Sequence, residues 1–216
     1  MVDGGSVALT GLSLDAFTAK LASADPTPGG GSVAAAVGAF GAGLVRMVAL
    51  LTSNSPKYAA VSAECEVIAE RAKLLVAKLL RLVDEDASSF DRVSAAYRLP
   101  KTSEDEKRAR SDGIQRALEG AIDPPMGVIS CAREICDLAV ELVDIANPNA
   151  LSDVGCAALC AQTSSQGAAL NVEINSSMLK DREAAKRHTD ELNAGLAHVS
   201  LLAEVVLGKV RSRVAQ

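Results

Sequence analysis

The chain has no tryptophan, and aromatic residues make up 2% of its 216 positions: Phe17, Phe40, Tyr58, Phe90 and Tyr97. Strands are rich in aromatic and β-branched side chains, so an Ala/Leu/Val-rich chain this poor in rings predicts helices. Histidine is almost missing too, with only His188 and His198, far in sequence from most of the cysteines. There is no surplus of basic charge. The net charge of −5 argues against a general nucleic-acid binder and leaves a small anionic substrate open. No basic segment precedes an apolar run at the N-terminus, so no signal peptide is expected. The five cysteines, Cys65, Cys131, Cys136, Cys156 and Cys160, are odd in number and sit in apolar helical patterns. That fits reduced thiols in a cytoplasm better than a disulfide framework. Cys156 and Cys160 share a helix face, but with so few histidines the expectation is buried small residues and no metal site.

What is present is an ordinary soluble balance, 49% hydrophobic and 23% charged, in a length that allows one sizeable core. The whole chain, 1–216, reads as a single helical domain, with residues 1–11 expected to be disordered. The run Val33 to Thr52 holds one charge, Arg46, and approaches the length of a membrane span. It is mostly Ala and Gly, and Ala34/Gly38/Ala42 and Ala35/Ala39/Gly43 place small residues on two adjacent faces. Such faces let neighbouring helices pack closely, so the run reads as a central buried helix, with no membrane involved.

Ser13 caps a short amphipathic helix that ends near Ser23. From Lys57 to Arg98 no Pro or Gly interrupts, and Val61, Cys65, Ile68, Ala72, Leu75, Leu79, Leu82, Phe90, Val93 and Tyr97 mark one long helix. Ser103 and Glu106 form a capping box for a charged helix. Pro124-Pro125 opens another, and Ser152 or Asp153 caps a helix that carries no charge between Val154 and Val172. A last amphipathic helix runs from Asp181 to about Val210. The fold expected is all-α, an up-and-down bundle with long helices, dimeric because two helices are too apolar for one subunit to cover.

Four features could carry chemistry. In Asp25-Pro26-Thr27-Pro28-Gly29-Gly30-Gly31-Ser32 two prolines stiffen the approach to three glycines, and Ser32 or Gly31 can cap the following helix. A helix start offers unpaired N–H groups to an anion or a ligand carbonyl. The ordinary reading is a tight turn, but three consecutive glycines exceed what a turn needs and suggest a close approach. Asp86 falls in the apolar stripe between Leu82 and Phe90. A buried acid is costly, so it is paired (with Arg46 or Lys101), protonated, or facing a wet cleft. Asp84 and Glu85 beside it read as solvated. Asp153 is explained equally well as a helix cap, Lys101 as a surface lysine, and Asn171 and Asn175 as buried amides bonding the backbone.

In order, the blocks Pro26-Thr27-Pro28-Gly29-Gly30-Gly31-Ser32, Val83-Asp84-Glu85-Asp86 with Phe90, Leu99-Pro100-Lys101 with Glu106-Lys107, Asn147-Pro148-Asn149 with Ser152-Asp153, and Asn171-Val172 with Asn175 resemble the formiminotetrahydrofolate cyclodeaminase / methenyltetrahydrofolate cyclohydrolase family, from roughly Leu14 to Gly208. The resemblance implies an all-helical homodimer acting on folate one-carbon units, with a tetrahydrofolate derivative as substrate and no prosthetic group. One branch hydrates 5,10-methenyltetrahydrofolate to 10-formyltetrahydrofolate. The other closes 5-formiminotetrahydrofolate to the methenyl form with loss of ammonia. The sequence shows no attached formiminotransferase domain, which tilts the expectation toward the cyclohydrolase. An inactive scaffold of the same fold is a third reading, and it should have lost the glycine loop or the stripe acid. The residues implied are Asp86, Lys101 and Asp153 for catalysis, and Pro28, Gly29, Gly30, Gly31, Ser32, Phe90, Asn171 and Asn175 for substrate.

Overall fold

In the computed structural model, which describes residues 8–214, the chain forms seven α-helices and no strand among those residues. They are α1 (Leu14–Leu21), α2 (Gly30–Ser53), α3 (Ser62–Tyr97), α4 (Glu104–Gly120), α5 (Asp123–Ile145), α6 (Leu151–Ser177) and α7 (Arg182–Val214). Several ends follow the expected chemistry. The Ser13 hydroxyl accepts from Ala16 N–H at the start of α1, and Ser103 and Glu106 close a reciprocal capping box on α4.

α2 is the central helix, packed between α3 and α6 with α5 behind it. Its neighbours run antiparallel to it. Gly31 and Ser32 meet Asp86 and Val83 of α3, and Gly38 meets Leu79; on the other side Ala34 meets Ser164 of α6, and Gly41 meets Ala157. α7 runs antiparallel to α6, placing Gly155 against Val210, and parallel to α5, placing Cys136 beside Val199. The up-and-down arrangement follows from these contacts. Small residues make the crossing possible, since a Cβ at Gly38 would lie 2.7 Å from Ser164 Oγ and one at Gly41 2.9 Å from Cys160 Cβ. The core between α2, α3, α5 and α6 is built from fully buried Val45, Val48, Ile68, Leu79, Ile135 and Leu142.

Several expectations change. The long helix predicted from Lys57 begins as a 3-10 turn, Pro56–Val61, with Tyr58 off helical geometry, and becomes α-helical only from Ser62. α2 is not buried on every side, because Phe40 (58% exposed), Met47 and Leu51 lie open, and Gly43 has nothing within 4 Å of its Cβ position. By length and composition α2 and α7 could cross a membrane, though half of the most apolar window of α2 is buried against its neighbours. Neither Ser152 nor Asp153 caps α6; its N-cap is Ala150, after a 3-10 turn over Pro148–Ala150.

The disorder expected over residues 1–11 falls partly outside the described residues, at 1–7. Leu9–Gly11 form a 3-10 turn fixed to α3, where Asp84 accepts from Leu9 N–H at 2.6 Å and from the Thr10 hydroxyl at 2.8 Å. Asp84 is therefore a tether and not a solvated acid. Asp84→Ala should cost about 1.5–3 kcal/mol in denaturant unfolding, the range for hydrogen bonds to a charged group. It should also open the Leu9–Gly11 segment to limited proteolysis.

Candidate active site

The stripe that makes α3 amphipathic also makes one wall of a cavity. Asp86, Ser89, Phe90, Val93 and Tyr97 project from α3 at helical spacing, facing Asn171, Ile174, Asn175 and Met178 of α6. The floor is the loop and first turn of α2, Pro26, Thr27 and Gly29 to Gly31, and the end of α4 closes one side with Leu118 and Ala121. The cavity measures about 460 Å³, a usual size for a small-molecule site.

The glycines serve in a different way from the expected sharp turn. No described glycine has positive φ, and Gly29, the N-cap of α2, is extended. What matters is the missing side chain, and Gly31 is where it matters. A Cβ there would lie 2.1 Å from Asp86 Oδ1, so the carboxyl occupies the space a side chain would need. At Gly30 the nearest atom to such a Cβ is Asn171 Nδ2 at 4.0 Å, and the position opens on the cavity.

Among the described residues Asp86 has no ionic partner. The expected pairing with Arg46 or Lys101 is absent, because Arg46 sits some fourteen residues along α2 from the first turn, about 21 Å at 1.5 Å per residue. The polar partner of Asp86 is Ser32, whose Oγ lies 2.9 Å from Oδ2. Burial pushes the Asp86 carboxyl above the ordinary carboxylate range, against the opposing pull of its hydrogen bonds to Ser32. Among the described residues it is the single carboxyl, amine or guanidinium lining the cavity. Asn171 bonds the Gly167 carbonyl through Nδ2, and Asn175 bonds the Ala121 carbonyl. Each amide keeps its oxygen and a second N–H for a ligand.

The structure therefore brings together Asp86, Gly29, Gly30, Gly31, Phe90, Asn171 and Asn175. Pro28 is buried beneath the loop, and Ser32 is fully buried behind Asp86, so neither lines the cavity. Lys101 and Asp153 are not brought to it. Lys101 is exposed past the Tyr97 end of α3. Asp153 is in the first turn of α6, eighteen residues from Asn171, about 27 Å along the helix. At that end the Asn-Pro-Asn turn is a structural joint: Asn147 N–H donates to Thr52 Oγ1, and Asn147 Oδ1 accepts from Asn149 N–H and from the Tyr58 hydroxyl. Tyr97 and Met178 are wall residues not singled out as site residues from sequence. Tyr97 belongs to the Asp86 stripe, and its backbone oxygen accepts from Arg110 of α4.

The formiminotransferase-cyclodeaminase family model matches residues 13–194. The chain is 40% identical to a methenyltetrahydrofolate cyclohydrolase of Methylorubrum extorquens, over 94% of this chain and 97% of that protein. It is 30% identical to the formimidoyltransferase-cyclodeaminase of Rattus norvegicus over 97% of this chain, yet spans only 39% of that longer protein. The crystal structure of formiminotetrahydrofolate cyclodeaminase from Thermotoga maritima superposes with a TM-score of 0.84 at 32% identity, over 94% of this chain and 98% of the other.

The two glycines should respond differently to substitution. Gly31→Ala displaces the Asp86 carboxyl and should lower turnover at least tenfold while the circular dichroism stays helical. Gly30→Val adds its bulk to the cavity, and should weaken ligand binding with unfolding free energy within about 1 kcal/mol of the parent. A Gly30→Val protein that binds normally and melts much lower would reduce the loop to a turn.

Proposed function

The chain belongs to the formiminotransferase-cyclodeaminase family, and from that premise we propose that it is a methenyltetrahydrofolate cyclohydrolase, converting 5,10-methenyltetrahydrofolate and water to 10-formyltetrahydrofolate. The observation that carries this reading is Asp86: an acid with no counter-cation among the described residues, facing a cavity of amides and apolar walls. The methenyl substrate is a cationic amidine, with positive charge shared by N5, N10 and the carbon between them. A carboxylate is the group that complements it.

In this reading water adds to the bridging carbon as Asp86 takes one of its protons. The bond from that carbon to N5 then breaks, N5 receives a proton from Asp86, and the second proton of the water leaves to solvent as the formyl C=O forms on N10. Asn171 and Asn175 present donors and acceptors to the amide edge of the pterin, Phe90 offers a ring face, and Gly29 to Gly31 allow the ligand to lie against the backbone. Lys101 and Asp153 take no part from within the same chain. The relatives named as cyclodeaminases support a second reading, in which the same carboxyl assists N10 attack on a formimino carbon and departure of ammonia. The greater identity to the cyclohydrolase favours the first. Loss of the methenyltetrahydrofolate absorbance, assayed beside ammonia release from formiminotetrahydrofolate, separates them. The glycine loop and stripe acid, both intact and adjacent, speak against an inactive scaffold.

We read the protein as one catalytic unit of a cytoplasmic homodimer. Cys131 and Cys136 suit a reducing compartment, since burial pushes their thiols up to about 11 and about 12. The second copy would cover the open face of α2 and α3, where Phe40, Met47, Leu51 and Leu80 are exposed and Arg46 Nε is buried without a partner.

Asp86→Asn should lower kcat at least about a hundredfold, the range for a positioned acid–base group. Because the folded chain holds the Asp86 proton above the ordinary carboxylate range, the parent loses stability as pH rises through that window. The variant should therefore equal or exceed the parent in thermal stability at neutral pH, the gap closing in acid. Normal turnover would remove Asp86 from the mechanism. For the dimer, sedimentation at micromolar concentration should give twice the chain mass, and Phe40→Arg should shift it to monomer; a monomeric parent would overturn the assembly.

A further inference from the structure

Ser32 lies within the first turn of α2, fully buried, with its Oγ 3.0 Å from the Val83 carbonyl oxygen and 2.9 Å from Asp86 Oδ2. A serine hydroxyl has one proton to donate. If Asp86 is ionised, the hydroxyl donates to it, and the Val83 carbonyl is left with the bond it already accepts within α3. If Asp86 carries a proton, it donates to Ser32 Oγ, Ser32 donates to Val83 O, and both short contacts are hydrogen bonds. The arrangement therefore accommodates a neutral acid. It has a second setting, because the hydroxyl can rotate to donate to an ionised Asp86 while the Val83 carbonyl keeps its place in the helix ladder.

We propose that Ser32 is a positioning residue and not a substrate ligand, a hydroxyl that turns with the protonation of Asp86 so that the acid is neutral in the empty site and ionised only against a cation. The substrate half of this rests on the cyclohydrolase reading; the Ser32–Asp86 relation does not. Few other charges compete for control of Asp86. α2, α4 and α6 present no titratable side chain to the cavity, and among the described residues Tyr97 is the only other titratable group lining it. On its own helix Asp84 is engaged by Leu9 and Thr10, and Glu85 opens with Asp123 into a separate cleft. Asp25 of the loop pairs with Lys20. The proton on Asp86 is therefore governed by burial, by the start of α2 and by Ser32.

The consequence is selective. A cationic methenyl ligand draws the proton off Asp86 and meets a carboxylate, whereas the neutral formyl product meets a neutral acid and gains no ion pair. Binding of the substrate releases a proton to solvent, and release of the product restores it.

Difference infrared titration of the full chain against Asp86→Asn tests this without any substrate. A protonated-carboxyl band should persist above the ordinary carboxylate range and be absent from Asp86→Asn. In Ser32→Ala its midpoint should move up by about one pH unit, since the charge-assisted bond to the ionised form is the stronger one lost. Calorimetry in buffers of different ionisation enthalpy should show proton release when methenyltetrahydrofolate binds. Ser32→Ala should weaken that binding about tenfold at neutral pH in the parent, and leave it unchanged in the Asp86→Asn background. Should Ser32→Ala not fold, Ser32→Cys, with its weaker donor, carries the same titration. An Asp86 that titrates in the ordinary range, a midpoint unmoved by Ser32→Ala, or an equal Ser32 effect with and without Asp86 would overturn the proposal. Failure to turn over methenyltetrahydrofolate with the titration as described would instead overturn the activity.

Discussion

The close approach of α2 to α3 at Gly31 is the contact on which the site depends. The Asp86 carboxyl fills the volume that a Cβ at position 31 would claim, so the first turn of α2 and the acid of α3 form one packed unit. Small residues along α2 continue that approach toward both neighbours, with Ser164 of α6 bonding the Ala34 carbonyl at 2.7 Å. Because α3 and α6 both run antiparallel to α2, their later turns return to its N-terminus. Asp86 and Asn171 arrive at the same helix start from opposite sides.

The electrostatics of that corner are finely opposed. The free N–H groups of a helix start favour a negative charge, as does the Ser32 hydroxyl, while the apolar walls of Val93, Leu118 and Ile174 disfavour it. Burial prevails in the empty cavity, and the carboxyl is held above the usual range. A basic partner such as arginine would have fixed Asp86 as a permanent anion, satisfied and of little use to a cation. An apolar cavity with no counter-charge leaves the acid able to respond to what enters.

Much of this was legible in sequence because helices announce themselves by period and cap. The stripe from Val61 to Tyr97, the Ser103 and Glu106 box and the intrusion of Asp86 all reappear in the fold. What sequence could not supply was which end of each helix faces the ligand. Asp153 and Asn171 share α6, and only the antiparallel return of α6 along α2 reveals that Asn171 is at the cavity and Asp153 is not. The same holds for Lys101, which follows the stripe yet lies past its last wall residue. Asp84 looks solvated in the sequence because its partners, Leu9 and Thr10, are more than seventy residues distant and belong to a segment with no helical pattern. Among the glycines, Gly30 and Gly31 are indistinguishable in sequence. Their rotation about the helix axis decides that one faces open space and the other faces Asp86.

The two ends of α2 divide the family's sequence blocks between two tasks. At its start the glycine loop, Asp86 and the Asn171/Asn175 pair surround the cavity. At its end Thr52 bonds the Val48 carbonyl and receives Asn147 N–H, so that the Asn-Pro-Asn turn locks the junction of α5 and α6 to the last turn of α2. That junction sets the axial position of α6 along α2. A slip of α6 by one residue would displace Asn171 and Asn175 by about 1.5 Å and rotate them by about 100° relative to Asp86. Blocks about 30 Å apart along a helix can therefore recur together without sharing a site: one holds the groups, and the other holds the register that brings them to the same place.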